Sequence, residues 1–359
     1  MTRVLMEGSE AMAKAAIAAG CRFFSGYPMT PFTETLEYFG KHLPDVGGVS
    51  INAESELEAI GMAWGALATG ARAATGSTGQ GLALMQESLS EITRAELPLV
   101  YFNMARGQGD YYQATRGGGH GDYRNIVLAP IDVNEAVELT QLAFYLADLW
   151  RNPVQIYGDY LLAHTNETVE ISTMEFPPLP PKDWAVDGSL GGTGKSRNIN
   201  PIGMSKLKHE IEPEAFWRRL HVKHKEIEQA EARYEEEFLE GAEMLVVAFG
   251  TVARFVRYVV REMRSEGIAV GYIRPITLWP FPYEAISNAA QNTQKVAVLE
   301  QNGGQMIDDV RLAVLGSAPV VALGGFSSDE AGFGIGPIHG TDNIRDRIEH
   351  GLAGQEVMP

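Results

Sequence analysis

Short apolar runs alternate with helix-forming segments along most of this chain, and that rhythm admits few folds. LPLVYFNM at 97–104 is apolar almost throughout rather than at every second position, as in a strand buried on both faces of a sheet. Before it, SEAMAKAAIAA (9–19) reads as a helix ending at Gly20, CRFFSG as a strand, PFTETLEYFGKHL as a helix and VGGVSINA as a strand. SELEAIGMAWGALATG then reads as a helix, ARAATGS as a strand and QGLALMQESLSEITRA as a helix. Helix 133–150 and strand VQIYG close the unit near residue 165. Apolar strands joined by helices run parallel, so the pattern predicts an α/β fold whose parallel sheet is covered on both faces.

Residues 166–242 break the rhythm. FPPLPP is extended, DGSLGGTGKSRNINPIG is turn-rich and EPEAFWRRLHVKHKEIEQAEARYEEEF reads as one charged helix, so this stretch is an interdomain connector. Alternation resumes with MLVVAFG, helix VARFVRYVVREMRSEG, strand AVGYIRP, helix YEAISNAAQ, strand KVAVLEQ, helix QMIDDVRLAVLG and strand PVVALGG. Single cores stop growing at about 250–300 residues, so a chain of 359 fits two parallel-sheet domains. The expected division is 1–165, 166–242 and 243–359, and no internal period aligns the two halves.

Charge and cysteine content narrow the partners. Lys+Arg is 29 against Asp+Glu 46, a formal charge of -17, and a surface of that sign repels phosphate backbones and anionic lipid. Nucleic-acid and membrane partners are therefore not expected. The apolar run after Arg3 is interrupted by Glu7, Glu10 and Lys14, and no later stretch reaches the ~18 apolar residues of a span, so the cytoplasm is the expected compartment. Cys21 stands alone, so it forms no in-chain disulfide and cannot supply the four thiolates of an iron–sulfur cluster; a redox metal belongs on another chain. It opens an apolar strand, where a buried structural thiol is the expected role.

Several motifs weaken on inspection. SLGGTGKS resembles a phosphate-binding loop, but Ser189 stands where the first glycine should be and FPPLPPKDW before it is no buried strand. GFGIGP at 332–337 lacks the spacing of a dinucleotide fingerprint. His221 and His224 lie one turn apart in HVKH without a third ligand, and a solvated helical face explains them, so no metal is assigned there. The nucleophile elbow G-x-S-x-G is absent, which leaves hydrolase chemistry unsupported.

What remains stands at the strand ends of the first unit, where ligands bind in open parallel sheets. In Gly26-Tyr27-Pro28-Met29-Thr30-Pro31 two prolines stiffen the backbone; a rigid turn explains the prolines but not the Thr30 hydroxyl displayed between them. Glu56 opens a helix, where the helix dipole and a Ser55 cap would also account for it. Arg106 follows a buried strand among glycines, suited to gripping a carboxylate or phosphate bidentately, or simply solvated at the surface. TRGGGHGDYR concentrates glycine around His120 and Asp122, either a backbone that another group approaches closely or a flexible loop. Tyr111, Tyr112 and Phe32 are candidates for an apolar acyl pocket or, more simply, packed core aromatics.

Together, GYPMTPFTE (26–34), NAESELEAIGMAWGA (52–66), DYYQATRGGGHGDYR (110–124) and EQNGGQMIDDVRLAV (300–314) resemble, over nearly the full length, the alpha subunit of 2-oxoacid:ferredoxin oxidoreductases, especially the 2-oxoisovalerate and 2-oxoglutarate members. The resemblance implies a pyrimidine-binding domain for thiamine diphosphate over 1–165 and a transketolase C-terminal-like domain over 243–359. It implies that Glu56 hydrogen-bonds the aminopyrimidine N1′, where proton sharing requires an acid. It further implies that Thr30 and Arg106 hold the 2-oxoacid carboxylate, and that Tyr27, Pro28, Thr78 and Gln80 line the cofactor cleft.

The second half of such a site is missing. Thiamine enzymes hold the diphosphate through Mg2+ with a GDG motif, whereas GDY occurs three times here and GDG never. The resemblance therefore places Mg2+ on a beta subunit that completes the cleft, with [4Fe-4S] clusters on gamma and delta-type subunits, CoA as co-substrate, and ferredoxin or an alternative acceptor subunit taking the electrons. The implied reaction converts a 2-oxoacid, CoA and oxidised ferredoxin to acyl-CoA, CO2 and reduced ferredoxin. Only GQGDY separates Arg106 from Tyr112, a shorter spacing than in many members; a branched-chain or aromatic 2-oxoacid is expected first and 2-oxoglutarate next. Two other classes stay open: a non-redox thiamine-dependent decarboxylase or transketolase-type subunit, and a catalytically silent scaffold, for which the Thr30, Glu56 and Arg106 set is an awkward feature.

Overall fold

Two mainly parallel sheets form around strands that are buried along their whole length, Val100–Ala105 and Val154–Asp159 in the first and Val270–Pro275 in the second. The computed structural model describes residues 3–186, 213–325 and 340–357. From edge to edge the 7-stranded sheet runs Thr277–Trp279, Ile126–Leu128, Val154–Asp159, Val100–Ala105, Ala73–Ser77, Phe23–Gly26 and Val49–Asn52; every neighbouring pair is parallel except the first. The 5-stranded sheet runs Val320–Ala322, Lys295–Val298, Met244–Val247, Val270–Pro275 and Tyr234–Glu237, antiparallel only at the last pair. The α/β architecture read from the alternation is the one observed.

Helices cover the sheets with faces dictated by sequence. In Gly250–Ser265, Val252, Ala253, Val256, Val259, Val260 and Met263 recur at helical spacing and are buried. Arg254, Arg257 and Arg261 on the other face pair with Glu167, Glu235 and Glu237. In the first unit, Phe24 stacks on Phe39 with ring centroids 4.1 Å apart, and Phe32 and Phe102 fill the same core. Cys21 is buried there, donating to the Phe23 carbonyl, and burial pushes its thiol up to about 12, as befits a structural thiol.

The connector departs from expectation at its end. The charged helix stops at Glu231, and Tyr234–Glu237 is instead an edge strand of the second sheet. Glutamate disfavours strands, but Glu235 and Glu237 here meet Arg257, Arg274 and Arg261, and those ion pairs decide the local structure. Nor is the HVKH face uniformly solvated. His221 is exposed, whereas His224 is buried edge-on against the Trp279 ring, 5.9 Å between centroids. FPPLPP forms neither helix nor strand, while the turn-rich stretch with SLGGTGKS and the GFGIGP string lie outside the described residues.

Short elements escaped the alternation. Val4–Glu7 pairs antiparallel with Asn166–Val169, Tyr111–Arg116 is a helix, and Ile126–Leu128 enters the first sheet. Thr277–Trp279, from the second unit, adds to the edge of that same sheet. No helix among the described residues is long and apolar enough to cross a membrane.

Candidate active site

Four neighbouring parallel strands, Val100–Ala105, Ala73–Ser77, Phe23–Gly26 and Val49–Asn52, deliver four loops to one edge of the first sheet. These are the loops that hold Arg106, Thr78 and Gln80, Tyr27 to Thr30, and Glu56.

Glu56 is the first residue of Glu56–Ala68, whose cap is already complete without it. The Ser55 side chain accepts the Glu58 N–H at 3.4 Å, and Glu58 accepts the Glu54 N–H at 2.9 Å. Glu56 instead turns inward, 3% exposed, where its Oε1 accepts the Ser77 hydroxyl at 3.1 Å. Capping explains Glu58 and does not explain Glu56. A Cβ on Gly81 would fall 2.1 Å from the Ser77 Oγ and 2.3 Å from the Glu56 Oε1, so only glycine lets this helix pass so close to the acid.

The next loops join the same cluster. Thr78, buried, donates to the Met29 thioether at 2.9 Å and to the Gln80 Oε1 at 3.0 Å, and Gln80 reaches solvent. Arg106 lies against Thr30, its Nε donating to the Thr30 carbonyl at 3.3 Å, while Thr30 itself is exposed beside Pro31. Tyr27 and Pro28 lie on the same loop, half-buried and exposed. The structure thus brings Glu56, Thr78 and Gln80 into one chain of contacts through Ser77 and Met29, and joins Arg106 to the Thr30 carbonyl between two loops.

Three residues here were not singled out from the sequence. Ser77 and Met29 lie within the quoted strings, but their orientation depends on which way the last strand residues face. Asp110 follows Arg106 closely and packs on Gly79 at the start of the next helix, where a Cβ would stand 2.1 Å from its Oδ2. Burial pushes the Asp110 carboxyl up, opposed by an Asn103 hydrogen bond at 3.4 Å and the Arg106 charge.

Other candidates resolve into packing. Phe32 and Tyr111 are fully buried, and the Tyr111 hydroxyl donates to Asp309 Oδ2 at 2.6 Å, so neither lines an acyl pocket in this chain. Tyr112 is half-buried, with its hydroxyl on Asp308. In the glycine loop the approaching group is Tyr123, whose hydroxyl accepts the N–H groups of Gly118 and Gly119 at 3.1 and 3.0 Å. His120 sits 3.0 Å from Glu91, and Asp122 is exposed. Among the described residues no group of three His, Cys, Asp or Glu is placed to hold a metal ion. A buried carboxylate that accepts a hydroxyl and is free of the helix cap is a donor set suited to the proton-sharing half of a thiamine site.

Comparison with known proteins identifies the family. The family model described as pyruvate flavodoxin/ferredoxin oxidoreductase, thiamine diP-binding, matches residues 14–236, and that of pyruvate:ferredoxin oxidoreductase core domain II matches 242–329. The ketoisovalerate oxidoreductase subunit VorB of Methanothermobacter thermautotrophicus is 39% identical over 87% of this chain and 90% of its own length. The 2-oxoglutarate synthase subunit KorA of the same organism is 35% identical over 89% and 93%. A 2-oxoglutarate:ferredoxin oxidoreductase from Magnetococcus marinus, solved with 2-oxoglutarate, coenzyme A and succinyl-CoA, superposes with a TM-score of 0.80 at 25% identity; the match covers 97% of this chain and 65% of that longer one. On these grounds the chain belongs to the 2-oxoacid:ferredoxin oxidoreductase family, as a subunit with the family's thiamine-diphosphate-binding fold.

Proposed function

We propose that this chain supplies the aminopyrimidine side of a thiamine diphosphate site and the grip on the substrate carboxylate, in a complex that oxidises a branched-chain or aromatic 2-oxoacid with CoA to acyl-CoA and CO2. The observation that carries this reading is Glu56, an acid 3% exposed at the carboxyl edge of the sheet, free of the capping role and oriented by Ser77. When bound, thiamine diphosphate supplies the nucleophilic carbon that the side chains of proteins lack. Glu56 would share a proton with N1′ of its aminopyrimidine. Thr30 and Arg106 would hold the carboxylate that leaves as CO2, Arg106 by a charge-assisted pair. Tyr27, Pro28, Thr78 and Gln80 would wall the cleft.

The remaining parts belong to other chains in this reading: Mg2+ and the diphosphate site on a beta subunit, [4Fe-4S] clusters on gamma and delta-type subunits, and ferredoxin or another acceptor subunit beyond them. Within the chain, residues 1–165 would be the pyrimidine-binding domain and 243–359 the transketolase C-terminal-like one. The substrate choice rests on charge as well as on likeness to VorB. Across the loops 27–31, 53–55, 78–80 and 106–110, Arg106 is the one cation, enough for the single carboxylate of a branched-chain or aromatic 2-oxoacid. 2-Oxoglutarate would need a second cation from elsewhere.

The test is reduction of a low-potential dye by the natively purified complex, with and without CoA, on pyruvate, 2-oxoisovalerate, 2-oxoglutarate and phenylglyoxylate. CoA-dependent reduction, fastest on 2-oxoisovalerate or phenylglyoxylate, is expected; preference for 2-oxoglutarate would overturn the substrate choice. Aldehyde release without dye reduction would replace the oxidoreductase with a non-redox thiamine enzyme. Glu56→Ala should fold normally and lose about 10²–10⁴ in kcat/KM on every acid; undiminished turnover would point to a scaffold.

A further inference from the structure

The loop that carries Arg106 is held in place from the second unit. Gln108, two residues on, is 1% exposed and bonded through both ends of its amide: Nε2 donates to the Phe249 carbonyl at 2.8 Å, and Oε1 accepts the Gln301 N–H at 2.9 Å. Its backbone carbonyl accepts the Asn302 Nδ2 at 2.9 Å. Gln305 closes the far end of the loop, donating to the Gly109 carbonyl and accepting the Tyr112 N–H, each at 2.8 Å.

The clamp is itself stiff. Asn302 Oδ1 accepts the Gly304 N–H at 2.8 Å, and the buried Glu300 carboxylate accepts the N–H groups of Gln305, Met306 and Ile307 at 3.0, 2.8 and 3.0 Å. By contrast, Gly107 and Gly109 flank Gln108 with open space where their Cβ atoms would be. A segment so rich in glycine has little reason of its own to keep one conformation. Five hydrogen bonds from the second unit fix it, immediately beside the guanidinium that must meet a substrate carboxylate in one orientation.

We propose that Gln108, gripped by Asn302 and the backbone of residues 249 and 301, is a positioning residue that sets Arg106 for the substrate carboxylate. The inference rests on the assignment of Arg106 made above. It gives the EQNGGQ segment a task in substrate binding, exerted through Arg106 by fixing the geometry of the site before substrate arrives.

The experiment uses the natively assembled complex. Gln108→Ala is expected to raise KM for the preferred 2-oxoacid about 10-fold while kcat falls less than about 3-fold. Gln108→Glu keeps the acceptor for Gln301 but sets a buried carboxylate oxygen against the Phe249 carbonyl, so it should raise KM at least as far as Gln108→Ala. Asn302→Asp, which retains the acceptor for Gly304 but not the donor to Gln108, should move KM in the same direction even if Gln108→Ala folds poorly. A double-mutant cycle with Arg106→Ala decides the route of action. If Gln108 acts through Arg106, adding Gln108→Ala to Arg106→Ala raises KM no further. Full additivity, or a loss of active enzyme at unchanged KM, overturns the inference and leaves Gln108 a structural residue. An Arg106→Ala enzyme with unchanged KM would remove Arg106 from the site and this inference with it, a result distinct from the other two.

Discussion

At the scale of single residues, Gly81 is where local and functional demands diverge. It lies in the first turn of Gly79–Arg94, and alanine is preferred over glycine in a helix by about 1 kcal/mol. A methyl group there would collide with the Ser77 Oγ and the Glu56 Oε1 at 2.1 and 2.3 Å. Steric displacement of the acid outweighs the gain in helix propensity where it matters, in the geometry of proton sharing. Gly81→Ala is therefore expected to lower kcat/KM by about 10-fold or more while leaving thermal unfolding within a few degrees of wild type. Kinetics and a melting curve on the same preparation check this, and full activity would show that the Glu56 carboxylate has room to move. The sequence offers Glu56 as an acid after a strand, which a place in the first turn of a helix would equally explain. It could not mark Ser77 as the partner rather than Thr78, because the choice depends on which face of the sheet the last strand residue meets.

At the scale of elements, long apolar runs announced themselves and short ones did not. Val100–Ala105 carries its unbroken apolar run and Gly250–Ser265 its helical period in their own residues, whereas arginines on neighbouring elements meet the glutamates of the strand Tyr234–Glu237. The helix Pro213–Glu231 shows the same dependence on surroundings. Its existence is legible, but not that it stops at Glu231, nor that His224 is buried against Trp279 while Lys223 pairs with Glu96. Burial, with help from the charges of Lys223, Arg124 and His221 and against that of Glu96, pushes the His224 imidazole down from 6.5 to about 3. The sign follows from linkage. Below pH 6.5 the unfolded chain takes up a proton that the fold refuses, so this residue makes stability fall as pH drops from 6.5 toward 3, by up to about 1.4 kcal/mol per unit. Above pH 6.5 it contributes no slope. His224→Leu should flatten that part of the stability profile, measured by urea unfolding from pH 7 to 4.5; a variant as acid-sensitive as wild type would mean that His224 is protonated in the fold.

At the scale of the whole molecule, the alternation foretold two units but not how they are fastened. A three-residue strand such as Thr277–Trp279 has no period to read, and only its partner Ile126–Leu128 makes it part of the first sheet. One buried ionic fastening among the described residues is Arg274, 1% exposed on the strand Val270–Pro275, next to the edge strand of the second sheet. Its Nη1 and Nη2 donate to Glu135 at 2.7 and 2.8 Å, on the helix Val133–Trp150 of the first unit, and Nη2 also donates to Glu235 at 2.6 Å on the edge strand. Burial works against the cation, yet the two carboxylates raise its pKa above the usual arginine value, and Glu135 also accepts the Ile131 N–H at 2.7 Å. Removing the guanidinium would leave Glu135 without its cation in a poorly solvated seam and Glu235 with Arg257 alone. Arg274→Ala is accordingly expected to cost about 3–5 kcal/mol in urea unfolding, and Arg274→Met combined with Glu135→Gln to recover most of it, since the penalty lies in the stranded Glu135 charge rather than in the lost pair. A loss below about 1 kcal/mol for Arg274→Ala would show that water reaches the seam and that the units are held by their apolar contacts instead. Because the clamp on the Arg106 loop comes from the second unit, weakening this fastening should also raise KM for the 2-oxoacid, measured on the folded fraction of the Arg274→Ala enzyme; an unchanged KM would show that the clamp holds without it.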